Sequence, residues 1–162
     1  MYDCLFFIGF SGHWNSFLWL NDIPIEYLPT NLKVGGYLDL KCTPITKLPE
    51  GLKVGGILVL RNTPITHLPE GLEVGGDLDL SCTQITELPK DIKVGGSLDL
   101  RNTPITELPK DLKVGGHLYL NDTPITELPK DLKVGGNVLI SGTPMAKTKY
   151  KKPKGVKGDF YV

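Results

Sequence analysis

The stretch that decides the fold is LPKDIKVGGSLDLRNTPITE, Leu88–Glu107, followed at once by LPKDLKVGGHLYLNDTPITE, Leu108–Glu127. The second copy differs at five positions: Ile92/Leu112, Ser97/His117, Asp99/Tyr119, Arg101/Asn121 and Asn102/Asp122. Outward from this pair, the same 20-residue phrase fills positions 28 to 147 six times. A fixed period this short describes a solenoid, one coil per copy. The few aliphatic side chains of one coil cannot offset the entropy of ordering its whole backbone. A coil therefore exists only by sharing its interior and its strand hydrogen bonds with its neighbours.

In the copy Leu48–His67, Ile57-Leu58-Val59-Leu60 reads as a short strand. Alternation puts Leu58 and Leu60 on the inner face and Ile57 and Val59 on the outer one. The leucine pair recurs at 38/40, 78/80, 98/100 and 118/120, and Leu48, Leu52, Val54 and Ile65 complete the lining. The VGG before each strand suits either a positive φ or a close approach of backbones. Its recurrence in six copies argues against a phosphate-binding loop. Thr63-Pro64 and Leu68-Pro69 put two prolines into the return path. They exclude a helix there and predict extended, polyproline-like segments and turns.

The pattern L-x-L-x-x-T-x-I, as in Leu98, Leu100, Thr103 and Ile105, resembles the core of the leucine-rich repeat, L-x-L-x-x-N-x-L. The Leu-Pro opening and the period are similar to the short bacterial class found in secreted effectors. The VGG and Thr variant is similar to bacterial and phage-encoded repeat proteins. The resemblance implies a right-handed solenoid of about eight coils, with one parallel β-sheet, an extended or turn-rich convex side and essentially no helix. It also implies that the outward strand positions line a binding face. Thr stands where the family has Asn, at 43, 63, 83, 103, 123 and 143, and its hydroxyl offers fewer groups than an amide. No ligase-type domain follows the repeats, so that effector activity does not carry over.

Three segments follow: 1–16, a hydrophobic N-terminal cap; 17–147, the repeat array; and 148–162, a lysine-rich loop with a final strand. An offset of 22 residues aligns Val156-Lys157-Gly158 with Val134-Gly135-Gly136, which makes Asp159–Val162 a further strand. The outer edge of that strand could pair with another chain.

The differences between copies concentrate on the outward strand positions, while the interior stays uniform. The face mixes aromatic, arginine and carboxylate side chains, the types that carry binding energy at protein interfaces. The expected partner-binding residues are Trp19, Tyr37, Asp39, Arg61, Asp79, Asp99, Arg101, His117 and Tyr119. The bland reading of the same positions is an ordinary solvated surface. The function expected is a non-enzymatic protein-interaction module. The alternative is a structural or assembly component, of a virion or a surface, joined through its ends or its C-terminal edge.

No Ser-His-Asp set or metal-ligand spacing survives the repeat geometry, and neither a cofactor nor a metal is expected. Asp79 and Asp99 should be neighbours, but on an open sheet beside arginines they imply no pocket. With 18 basic and 18 acidic residues, the chain gives no global case for nucleic acid. Only the run Lys147, Lys149, Lys151, Lys152, Lys154 and Lys157 offers a local surface for it, and its plainer reading is a solvated loop. Cys42 and Cys82 sit two coils apart, roughly 10 Å by strand spacing, beyond disulfide reach. Free thiols suit a reducing, cytoplasmic compartment, with secretion or virion association left open. The apolar run Cys4–Phe10 lacks a basic leader and is too short to span a membrane.

Overall fold

The computed structural model describes residues 17–148 and 151–162, together with the backbone of His13–Trp14. The cap expected over residues 1–16 otherwise lies outside the described residues, as does Lys149.

The chain is a parallel-strand solenoid with two ladders of two-residue strands. The face ladder has eight: Leu18–Trp19, Leu38–Asp39, Leu58–Val59, Leu78–Asp79, Leu98–Asp99, Leu118–Tyr119, Val138–Leu139 and Phe160–Tyr161, in that spatial order. Every neighbouring pair is parallel, in the register of one repeat, Leu98 opposite Leu78 and Leu118. The last step uses the 22-residue offset read from the sequence: Phe160 pairs with Val138, and Val156 bridges to Val134.

The repeat predicts one parallel sheet; the structure has two. A side ladder of seven strands joins His13–Trp14, Lys33–Val34, Lys53–Val54, Glu73–Val74, Lys93–Val94, Lys113–Val114 and Lys133–Val134. It forms because the residues between Leu52 and Gly55 are extended, with valine inward and lysine outward. Their amides reach the preceding coil: Gly55 N–H donates to the Val34 carbonyl at 2.8 Å and Gly75 N–H to Val54 at 2.8 Å.

One continuous aliphatic core runs through the coils. Leu58, Leu60 and Ile65 are fully buried, and Leu52, Val54 and Leu48 nearly so, as alternation required. The corner between the ladders explains VGG. The Gly55 and Gly56 columns do not adopt positive φ. A Cβ on either would collide with the glycine carbonyl of the preceding coil. Close approach is therefore the reason for glycine, and it lets Gly76 N–H donate to Gly56 and Gly96 N–H to Gly76, both at 2.8 Å.

After each strand the chain turns at Leu60–Thr63. Thr63 N–H donates to the Leu60 carbonyl at 3.2 Å, and its hydroxyl donates to the same oxygen at 2.7 Å. The same hydroxyl bond recurs at 43, 83, 103, 123 and 143, always 2.7 Å, with every threonine buried. Thr thus satisfies a buried carbonyl inside its own turn. The third turn residue has positive φ, 56–59° at Asp22, Cys42, Asn62, Cys82, Asn102 and Asp122, and 78° at Gly142. That is the geometry of a type II turn, which favours Gly, Asn and Asp. The two described cysteines are free, Cys42 exposed and Cys82 half-buried. The described residues hold one short 3-10 helix, Met145–Lys147, and no helix long and apolar enough to cross a membrane.

Candidate partner-binding face

The outer surface of the face ladder is built from three columns: the residue entering each strand, the strand's second residue, and the second residue of the turn. The first two columns carry hydrogen-bonding duties that change along the solenoid.

The entry column reads Phe17, Tyr37, Ile57, Asp77, Ser97, His117, Asn137. From Asp77 onward its side chains accept the backbone N–H of the next coil. Ser97 N–H donates to Asp77 Oδ1 at 2.6 Å and His117 N–H to Ser97 Oγ at 3.1 Å. Asn137 N–H donates to His117 Nδ1 at 3.0 Å and Asp159 N–H to Asn137 Oδ1 at 2.8 Å. For His117 this places the ring proton on Nε2. Phe17, Tyr37 and Ile57 have no acceptor positioned this way.

In the second column, three carboxylates cap their own turns. Asp39 Oδ1 accepts Lys41 N–H at 2.9 Å, Asp79 Oδ1 accepts Ser81 N–H at 2.9 Å, and Asp99 Oδ1 accepts Arg101 N–H at 3.0 Å. Asp39 is buried at 7 % exposure. Asp79 also takes the Ser81 hydroxyl at 2.6 Å. Asp99 is gripped by Arg101, whose Nε lies 2.9 Å from both oxygens and whose other arm pairs with Oδ2. Bonding to Asp99 raises the Arg101 pKa further above its ordinary value. The Arg101 guanidinium sits 5.3 Å from the centre of the Tyr119 ring, and the His117 and Tyr119 ring centres are 6.0 Å apart.

At the N-terminal end the face is aromatic. Trp19 and Tyr37 have ring centres 4.7 Å apart, and Phe17 lies 6.5 Å from each. Phe17 and Trp19 are 64 % and 59 % exposed. Burial, then the Asp39 and Asp79 carboxylates, push the Tyr37 phenol above its usual pKa. Arg61, two coils from Trp19, is exposed and makes no side-chain ion pair or hydrogen bond among the described residues.

Six of the nine expected residues thus fall into two groups, while Asp39, Asp79 and Arg61 belong to neither. Asp99, Arg101, His117 and Tyr119 form one cluster whose polar groups largely satisfy each other or the backbone. Trp19 and Tyr37 form another, joined by Phe17, while Arg61 stands between them. Asp79 is opposite Asp99 across the ladder, as the repeat required, yet each is committed to its own turn. The acceptor role of the entry column was missed at the sequence level; the change from Phe, Tyr and Ile to Asp, Ser, His and Asn along one column was its signal. Among the described residues no group of three or more His, Cys, Asp or Glu side chains could hold a metal ion. No protein-family model matches the chain, and no curated protein matches it significantly.

Proposed function

We propose that the protein is a non-enzymatic interaction module that binds a protein partner through the outer surface of the face ladder, anchored at its aromatic end. Phe17, Trp19 and Tyr37 present large apolar area on a rigid parallel ladder, and Arg61 lies beyond them with its guanidinium uncommitted. Aromatic and arginine side chains are the commonest interface anchors. One observation carries this reading: Phe17 and Trp19 are both more than half exposed side by side on the face ladder, with ring centres 6.5 Å apart. Such rings cost hydration free energy that a partner would recover. The C-terminal cluster then forms a polar rim rather than the anchor.

The rival, an assembly component, would use the Phe160–Tyr161 strand, where Tyr161 is 50 % exposed. A quantitative pull-down from the native host separates them. The Trp19→Ala/Tyr37→Ala/Arg61→Ala variant should lose its captured partner while Tyr161→Ser keeps it. Retention by the triple variant, with folding intact by circular dichroism, rejects the anchor. Free cysteines fit a cytoplasmic place of action.

A further inference from the structure

The outward column of the side ladder reads Lys33, Lys53, Glu73, Lys93, Lys113, Lys133, one residue per coil and in register. Like charges directly opposite on neighbouring strands repel. Glu73 relieves this for two of them: its carboxylate lies 3.0 Å from Lys53 Nζ and 2.6 Å from Lys93 Nζ. Beyond Lys93 the relief stops. Lys113 and Lys133 are opposite one another, exposed, and among the described residues make no ion pair or side-chain hydrogen bond.

The last coil intensifies the charge. It departs from the repeat and adds Lys154 and Lys157 to the surface that carries Lys113 and Lys133, so that the four lysines line one groove of about 560 Å³. The rest of the lining is valine and glycine; no acidic side chain contributes. Lys157 stands where every earlier corner has the first glycine of VGG, a place where a Cβ on the regular coils would strike the preceding carbonyl. It nonetheless keeps the corner's bond, donating its N–H to the Val134 carbonyl at 2.9 Å. The chain as a whole is neutral, so the cluster is a local feature and not the by-product of a basic composition.

The geometry points to this groove as a binding site for an oligoanion of directly linked phosphates, a triphosphate or polyphosphate chain. Four lysines lining one groove without a carboxylate favour an anion that concentrates several charges in a small volume. Lysine binds phosphate as a point charge and needs no planar fork. Phosphates joined through one bridging oxygen pack their charges closely enough to meet lysines one strand spacing apart, about 4.8 Å. A phosphodiester strand spaces its charges by a whole nucleotide. The groove also lacks the aromatic platforms on which single-stranded bases stack.

The test is titration calorimetry of the full chain with sodium tripolyphosphate at low salt, with ATP in a second arm and a single-stranded oligodeoxynucleotide in a third. Tripolyphosphate should bind saturably, one per chain, and weaken as salt rises. Lys113→Gln/Lys133→Gln should lower its affinity tenfold or more, and Lys157→Gly, which restores the ordinary corner, about threefold. Lys33→Gln, in the same column but outside the groove, should change nothing. Equal binding of ATP identifies the triphosphate tail as the ligand; preference for the free chain identifies polyphosphate. The proposal is overturned by an absence of saturable binding, by affinity indifferent to Lys113→Gln/Lys133→Gln, or by tighter binding of the oligonucleotide at equal phosphate concentration.

Discussion

The two halves of the face ladder share one backbone and one core but use their outward residues differently. In the C-terminal half, Asp77, Ser97, His117 and Asn137 each accept a backbone N–H from the following coil, and Asp99 holds Arg101. In the N-terminal half the same columns carry Phe17 and Trp19, which are more than half exposed, and the half-buried Tyr37, with the three rings packed together. Variation among repeats is therefore two kinds of variation. One kind serves the solenoid itself, by completing hydrogen bonds the ladder leaves open. The other has no such duty and is the part available to a partner.

The interior should not distinguish the halves, and it sets the scale for everything else. Leu58→Ala and Leu118→Ala each remove a fully buried side chain between packed coils. Each should cost about 2–5 kcal/mol in chemical denaturation. A much smaller loss in one half would mean that its coils are not packed as one core.

The next largest effect should separate the halves. His117→Leu keeps the bulk but leaves the part-buried Asn137 N–H without its acceptor, at a cost of about 1–3 kcal/mol. His117→Asn restores an acceptor and should recover most of that loss. Equal stability of the Leu and Asn variants would show that the side-chain chain from Asp77 to Asp159 does not support the fold.

The period, the inward leucines and the 22-residue offset were legible because each repeats with a clear apolar signature. The side ladder was not. Its strands are two residues long, and Lys-Val is too short to show alternation. The left-handed turn column reads Asp, Cys, Asn, Cys, Asn, Asp, Gly from position 22 to 142. Asn, Asp and Gly announce positive φ, but the two cysteines masked it. At the candidate site, the sequence showed which columns vary. It could not show that His117 and Asp99 are occupied by their own chain, because that depends on reach between coils. His117 illustrates the point: its type suggests an interface or a ligand, and its register makes it an acceptor for the next coil.

A smaller effect is expected on the side ladder, where the halves differ again. Hydrogen bonds from Lys93 and then Lys53 hold the Glu73 carboxyl down from the usual 4.5 to about 2. A depressed carboxyl pKa adds stability that is present above the ordinary value and lost as pH falls through the folded one. The contribution should fade between pH 4.5 and about 2. The group is exposed, so the effect is modest and screened by salt. Glu73→Gln should flatten that arm of a plot of Tm against pH, and 1 M salt should flatten it in the unsubstituted chain. An unchanged slope would show that the pair does not persist in solution.

The smallest stability effect should come from the residues proposed to matter most for binding. Phe17 contributes ring contacts at 6.5 Å and leaves most of its surface in water, so Phe17→Ser should shift stability by about 0.5 kcal/mol or less. Trp19→Ser also removes the closer contact with Tyr37, at 4.7 Å, and should cost about 1 kcal/mol. Both lie below the loss expected for His117→Leu, although phenylalanine and tryptophan are the larger side chains. That inversion of size and cost is the physical content of the comparison. A loss of 2 kcal/mol or more for Phe17→Ser would place the aromatic end within the fold's own support, and the anchor would have to be sought at Arg61.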